Sequence, residues 1–137
     1  MNTMRKSIQI EGFGHGNNPV PAASLLRGLL VSGAIFGMDP ATRKVAPSLE
    51  AQCELMLGHA ERILQAAGCG WEDVIKMNFF LAPDLPRELI NTHWLRLFPD
   101  AASRPARHVV VNDRLPPGTL VQCDLMALAP TPAPTAA

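Results

Sequence analysis

The feature that most constrains this 137-residue chain is that only two segments have a helical period, among several that favour β-structure. In the first, apolar side chains recur every three or four positions from Ser48, a good N-cap, to Gly68, a residue type that often ends helices. The second spans residues 84–98, with Asp84 as the expected N-cap and Pro99 as the stop. The sequence therefore predicts two amphipathic helices.

The remaining apolar segments predict strands at residues 5–13, 29–34, 74–81, 107–112 and 119–129. The last two are joined by a cluster of turn formers and are expected to be neighbours in the sheet. The order ββαβαββ implies an α+β domain in which one mixed sheet carries both helices on a single face. Since no further helix is available, another copy of the subunit is the simplest cover for the other face.

Composition narrows the classes of function. Hydrophobic residues make up 47% of the chain and charged residues 18%, which favours a buried core with apolar surface left over for an oligomer. Twelve basic side chains balance twelve acidic ones, so no overall field attracts nucleic acid or an anionic membrane. A nucleic-acid or membrane partner is therefore not expected.

The same sequence predicts one domain over residues 1–129 and a flexible tail rich in Pro, Thr and Ala over residues 130–137. Neither a secretory signal nor an apolar run long enough for a bilayer is found. Three widely spaced cysteines without a CxxC pair suit a reducing compartment: Cys53, Cys69 and Cys123. A cytoplasmic location is expected.

Five short stretches carry a family likeness, in this order: LVSG (30–33), GWEDVIKM (70–77), NTHW (91–94), RPAR (104–107) and RLPPGTLVQCD (114–124). Over about residues 8–129 the chain resembles the reactive intermediate deaminase family, RidA or YjgF. The resemblance implies a chorismate-mutase-like fold, a homotrimer and active sites in clefts between subunits. It also implies hydrolysis of small imine or enamine acids, such as 2-aminoacrylate, to a 2-oxo acid and ammonia without a cofactor.

Two residues are expected to carry the chemistry. Arg107 aligns with the carboxylate-binding arginine of the family, and its planar fork suits two charge-assisted hydrogen bonds of about 1.5 to 3 kcal/mol each. Asp124 falls where the family often has a glutamate that is proposed to position or activate water, a role worth about 10² to 10⁴-fold in rate. The alternatives are an arginine that pairs with an acid at a strand end and an aspartate on the exposed side of a strand.

Further residues are expected to bind the substrate: Ser32, Gly33, Asn91, Val109 and Gln122. By resemblance, Ser32 and Gly33 line the pocket with a hydroxyl and a backbone N–H, and Val109 offers its backbone N–H where many relatives have cysteine. Asn91 matches an asparagine on the pocket side, although it could face solvent. Gln122 shares the face of the predicted catalytic aspartate by the period-two rule.

The chain departs from the family pattern in having no tyrosine, because many relatives place one over the ligand. The corresponding segment, residues 18–22, reads NPVPA and indicates a reshaped pocket, suited to a longer unsaturated acid of the aminomuconate type. No histidine has a familiar metal-ligand spacing, so no metal is expected, although His15 could reach a pocket. Trp71 and Trp94 are interpreted as packing anchors.

Two other functions stay open. The first is a trimer that binds small carboxylates through Arg107 without catalysis, which a deaminase assay would separate from the enzyme. The second is a ribonuclease or translation inhibitor, functions sometimes attached to this family. The balanced charge and the absence of a basic stripe argue against it, and salt-dependent RNA binding would restore it.

Overall fold

The computed structural model describes residues 4–131, so most of the predicted tail lies outside the described residues. The helices and strands are β1 (Lys6–Ile8), β2 (Ala23–Leu26), β3 (Leu29–Ser32), β4 (Ile35–Phe36), α1 (Leu49–Ala66), β5 (Val74–Leu81), α2 (Glu88–Leu97), β6 (Ala106–Val111) and β7 (Val121–Leu128). A single 3₁₀ turn, Trp71–Asp73, precedes β5.

Within residues 4–131 the strands form one sheet in the order β1-β2-β3-β7-β5-β6, and β4 also pairs with β7. The pairings are antiparallel except that of β5 with β6, which are parallel because α2 crosses over between them. The prediction that residues 107–112 and 119–129 form neighbouring strands is wrong. β5 lies between them and pairs with both, which leaves β6 at the edge of the sheet.

The region before α1 contains four short strands where the sequence predicts two. The predicted strand at residues 5–13 is shortened to β1, and Gly12 has a φ of +78°. The predicted strand at 29–34 forms a hairpin with β2, whose turn places Arg27 and Gly28 at φ values of 50° and 85°. Two successive positive φ angles match the two-residue turns of tight hairpins, which usually contain Asn-Gly or Asp-Gly. An arginine in this position gives no such signal.

The first helix has the predicted ends. The Oγ of Ser48 accepts a hydrogen bond of 3.1 Å from the backbone N–H of Ala51, and Gly68, just beyond the helix, has a φ of +76°. Gly37 lets the preceding loop lie directly against α1, because an added Cβ would stand 2.4 Å from the Cα of Gln52. Gln52 is almost fully buried and donates to backbone oxygens of two loops, which fixes both loops to the helix.

The second helix is shorter than predicted. Asp84 has a φ of 65° and lies in the preceding loop, so the prediction that it is the N-cap is wrong. An N-cap has extended or near-helical backbone, which this left-handed residue lacks. Arg87 takes that position without a side-chain cap, and the helix ends at Leu97, just before the predicted stop. Neither helix of the described chain has the length and apolar character needed to cross a membrane.

Both helices cover the same face of the sheet, here called the helix-covered face. The alternate side chains of the central strands that point to it are almost fully buried, including Met77, Phe79, Leu81, Val121, Cys123 and Leu125. The opposite, open face exposes apolar side chains instead: Leu29, Val31, Val110, Met126 and Leu128. The predicted α+β class, with two helices and a mixed sheet, is confirmed.

Candidate active site

Arg107 lies on the edge strand β6, in register with Met77 of β5, and points to the helix-covered face. Its guanidinium carbon stands 4.9 Å from the ring centroid of Trp94 on α2, a cation–π arrangement. Its buried Nη1 has no hydrogen-bond partner among the described residues. An unsatisfied buried donor costs about 1 to 3 kcal/mol, and more if charged, so this position suits an anionic acceptor.

The surroundings of Arg107 are positive. Burial, and next the positive charge of Arg87, lower the pKa of the Arg107 guanidinium from its ordinary value. Arg87 stands one helical turn before Asn91, whose backbone N–H donates to the Arg87 carbonyl oxygen at 3.1 Å. Trp94 follows three residues later, so these three residues lie along one side of α2. Asn91 is exposed on this side, which is compatible with its predicted role in binding substrate.

Asp124 lies in the middle of β7 on the open face. Its Oδ1 accepts a hydrogen bond of 2.8 Å from the Nδ2 of Asn78, its partner in register on β5. His108 is the partner of Asn78 on the other side, so these three side chains form a polar row across three strands. Gln122 occupies the same face two residues earlier, half-buried opposite Phe80. The prediction that Gln122 and Asp124 share a face agrees with this alternation.

The two proposed catalytic residues therefore point to opposite faces of the sheet. Arg107 is in register with Met77, and Met77 with Leu125, both buried beneath the helices. Asp124 is one residue away in that register, and one step along a strand reverses the face. A single chain does not bring the two residues together.

The Ser-Gly pair uses its polar groups within the chain. The Ser32 Oγ donates to the Gly33 carbonyl oxygen and accepts from the Leu125 N–H, both at 2.9 Å. The hydroxyl provides an acceptor for the Leu125 backbone N–H at the point on β7 between the residues paired with β3 and those paired with β4. The Gly33 N–H donates to the carbonyl oxygen of Ala22 at 3.0 Å. Binding of a ligand by these two groups stays a prediction.

Val109 packs its side chain against the core from the edge strand β6. Alternate N–H groups of an edge strand have no strand partner, so this strand has donors to offer a ligand. Burial raises the pKa of the Cys53 thiol to about 11 and also raises the pKa values of Cys69 and Cys123. These thiols are protonated at neutral pH and unsuited to nucleophilic attack.

Two of the histidines, His15 and His59, pack against the same ring, that of Phe13. The Nε2 of His15 contacts the Ala34 carbonyl oxygen at 2.8 Å, and its ring packs against Phe13. His59 is buried between the Met38 carbonyl oxygen and Arg62, and burial lowers its pKa. Over residues 4–131, no group of three or more His, Cys, Asp or Glu side chains is placed to hold a metal ion.

Residues 20–129 match the family model described as endoribonuclease L-PSP. The chain belongs to this family, which contains the RidA and YjgF proteins. A RutC family protein of Synechocystis is 34% identical over 115 residues, which cover 82% of this chain and 88% of that relative. The 2-iminobutanoate/2-iminopropanoate deaminase of Salmonella typhimurium is 25% identical over 126 residues, covering 91% of this chain and 98% of that enzyme.

Solved structures of Rid proteins have the same fold. A Rid family protein from Yersinia pestis superposes with a TM-score of 0.83 at 21% identity, covering 92% of this chain and all of that one. Escherichia coli TdcF with bound serine gives a TM-score of 0.80 at 22% identity, with 91% and 99% covered. The predicted membership of the RidA family is confirmed.

Three residues that contact or neighbour the predicted site residues of this RidA-family chain were not predicted to do so: Trp94, Asn78 and Arg87. Trp94 is a packing anchor, as predicted, but it also supports the Arg107 guanidinium. Asn78 lies within the mostly apolar strand β5 and was not predicted as a site residue. A polar side chain in such a strand is itself an indication of a functional role. Arg87 is close to Arg107 because α2 packs against β6, a contact that the sequence pattern does not predict.

Proposed function

We propose that this protein hydrolyses small imine or enamine acids to a 2-oxo acid and ammonia, without a cofactor. The observation that carries the proposal is the buried Nη1 of Arg107, which lacks a partner among the described residues in a positive setting that a substrate carboxylate would complete. Relatives named 2-iminobutanoate/2-iminopropanoate deaminase, from Salmonella typhimurium and Bos taurus, support this class of reaction.

The chemistry needs a held carboxylate and an activated water. Water adds to the imine carbon to give a carbinolamine, and loss of ammonia from that carbon leaves the 2-oxo acid. In this proposal Arg107 orients the substrate through its carboxylate, and Asp124 accepts the proton of water and returns it to the leaving nitrogen. The amide of Asn78 orients the Asp124 carboxylate by its hydrogen bond. Asn91 and the Val109 N–H bind the substrate near Arg107.

The proposal includes a homotrimer with its sites between subunits. Arg107 and Asp124 lie on opposite faces, so they can act together only if Asp124 of one subunit meets Arg107 of another. The exposed apolar side chains of the open face support such an assembly, because surfaces of this kind favour subunit contact. A cytoplasmic location, expected from three unpaired cysteines, belongs to the same proposal.

The preferred substrate is proposed to be longer than 2-aminoacrylate. The chain has no tyrosine, the bulky side chain that the family resemblance would place over the ligand. Arg87 adds a second cation near Arg107, which would favour an acid with a second carboxylate, such as one of the aminomuconate type. This preference is separable from the reaction itself, since both substrates share the carboxylate beside the imine carbon.

A direct assay of the purified protein tests the proposal. Imines of 2-oxo acids are generated in place from amino acids by an amino-acid oxidase, and their decay is compared with and without the protein. Faster formation of 2-oxo acid and ammonia is expected. If 2-oxo acids bind but the decay is not accelerated, the protein is the non-catalytic carboxylate binder instead.

The matching family is described as endoribonuclease, so ribonuclease activity is the second candidate function. The balance of twelve basic and twelve acidic side chains gives no overall positive field to attract a polyanion, so the deaminase is favoured. Cleavage of a labelled RNA by the same preparation, weakened by salt and by Lys or Arg substitutions, would favour the nuclease instead.

A further inference from the structure

The open face of the sheet carries two kinds of side chain. Large apolar side chains on this face are at least 37% exposed: Leu26, Leu29, Val31, Val110, Met126 and Leu128. The polar row of His108, Asn78 and Asp124 crosses the same face through the middle of β6, β5 and β7. The proposed deamination uses Asn78 and Asp124, whereas His108 has no role in it.

His108 lies at the edge of this face. It is exposed on the edge strand β6, and Val110, two residues later, points to the same side of the sheet. Its neighbour in register is Asn78, whose Nδ2 donates to the Oδ1 of Asp124 at 2.8 Å. In a single chain the His108 imidazole is therefore in contact with water and can take up a proton.

The proposed site places β6 at a contact between subunits. Arg107 immediately precedes His108, and it can act with Asp124 only if that aspartate belongs to another subunit. The other subunit must therefore approach β6 closely. His108 lies on the open face, which is the face that the proposed assembly covers. In that assembly the His108 imidazole leaves water for a largely apolar contact.

The charged groups around His108 do not compensate a positive charge on its ring. On β5, Lys76 lies two residues before Asn78 and points to the same face as His108. Asp124 is two strands away from His108, a backbone separation of about 9 to 10 Å. The Asp124 carboxylate is also bonded to the Asn78 amide that lies between them. Arg107 adds a second cation on the other side of β6.

We propose that His108 makes the assembly of subunits, and with it the site between them, dependent on pH. Subunits associate while the His108 ring is neutral and separate when it takes up a proton. Histidine is the side chain whose ordinary change of charge falls between pH 5 and 8. A cation at an apolar contact is unfavourable because it loses its hydration without gaining a partner. This inference rests on the proposed function and adds a means of regulating its site.

The dependence on pH is steep because each proposed trimer contains three copies of His108. Protons that bind the separated subunits shift the equilibrium towards them, by the linkage between ionisation and association. Where the separated subunits are protonated and the trimer is not, each dissociation takes up three protons. The dissociation constant of the trimer should then rise up to about a thousandfold for each unit by which the pH falls.

Sedimentation of the full-length protein at about pH 8 and about pH 5.5, at constant ionic strength, tests the proposal. We expect trimers at the higher pH and monomers at the lower pH, with circular dichroism showing that the monomers are folded. His108→Gln keeps a polar side chain that does not titrate, so this variant should be trimeric at both pH values. His93→Gln, on α2 over the opposite face, is the matched control and should dissociate in acid like the wild type.

The deaminase assay distinguishes acid dissociation from protonation of a catalytic group. At the lower pH, activity per subunit should rise with protein concentration, because mass action restores the trimer. A wild type that is trimeric at both pH values, or acid dissociation that persists in His108→Gln, would overturn the role of His108. Monomers at the higher pH would overturn the proposed assembly together with this inference. If imines are not deaminated, sedimentation alone still decides the role of His108.

Discussion

The two faces of the sheet hold different halves of the candidate site. On the helix-covered face, Arg107 is fixed by Trp94, and its buried Nη1 has no partner in the described part of the chain. On the open face, Asp124 is oriented by Asn78 and shares its surface with exposed apolar side chains. Tertiary packing prepares the first half, whereas the second half is half-buried on the open face, which the proposed assembly would cover. One chain carries the proposed residues but does not assemble the site.

Breaking the assembly should have the largest effect. Val31→Lys places a charge among the apolar side chains of the open face, where its desolvation on contact with a second subunit is unfavourable. We expect a monomer in sedimentation experiments and deaminase activity reduced to background. Gln65→Lys, at an exposed position on α1, is the control and should remain assembled and active. An active Val31→Lys monomer would show that one chain suffices.

Changing only the open-face half should reduce turnover. Asp124→Asn preserves the shape of the side chain but removes the base, so kcat should fall by about 10² to 10⁴-fold. The affinity for a 2-oxo acid should change little, because Arg107 is intact. Asp113→Asn, in the exposed loop before β7, should match the wild type. Normal turnover in Asp124→Asn would assign water activation to another group.

Changing only the helix-covered half should affect both binding and turnover. Arg107→Lys keeps the positive charge but loses the planar fork over Trp94, so the carboxylate loses one of two aligned hydrogen bonds. We expect kcat/KM to fall about tenfold to a hundredfold, with weaker binding of 2-oxo acids. Arg27→Lys in the exposed β2–β3 turn is the matched control. An unchanged 2-oxo-acid affinity would remove the carboxylate role from Arg107.

The smallest effect on kcat/KM is expected from Arg87, which lies near Arg107 on the helix-covered face. Arg87 is exposed, so its contribution to a second carboxylate is screened by solvent. Arg87→Gln should lower kcat/KM for the imine of 2-oxoglutarate about two- to fivefold relative to 2-iminopropanoate. Arg5→Gln, exposed near the N-terminus, should leave this ratio unchanged. An unaltered ratio in Arg87→Gln would remove the preference for a second carboxylate.

The parts of the fold predicted from sequence are those that depend on neighbouring residues. Ser48 and Gly68 mark the ends of α1, and residues 74–81 form β5 as predicted. The prediction that the last two strands pair was wrong, because the order of strands in a sheet depends on contacts distant in sequence. In the structure β5 lies between β6 and β7. The hairpin at Arg27 was missed because its positive φ contradicts the usual turn preferences.

The candidate site shows the same limit. The family resemblance points to Arg107 and Asp124, and strand alternation predicts that Gln122 shares the face of Asp124, in agreement with the register of β7 on β5. Arg107 and Asp124 point to opposite faces because of how β5 is registered with β6 and β7. This register depends on contacts distant in sequence, so no local pattern predicts it. The support that Trp94 gives to Arg107 also depends on the packing of α2.

Mixing two inactive variants tests most directly whether each site takes its halves from different subunits. Arg107→Ala and Asp124→Asn are co-expressed with different tags, and the trimers that carry both tags are purified and assayed. If Arg107 and Asp124 act from different chains, every trimer that carries both tags has one intact site in three, and activity should recover to about a third of the wild type. Mixed trimers that stay as inactive as either variant alone would contradict a site shared between subunits.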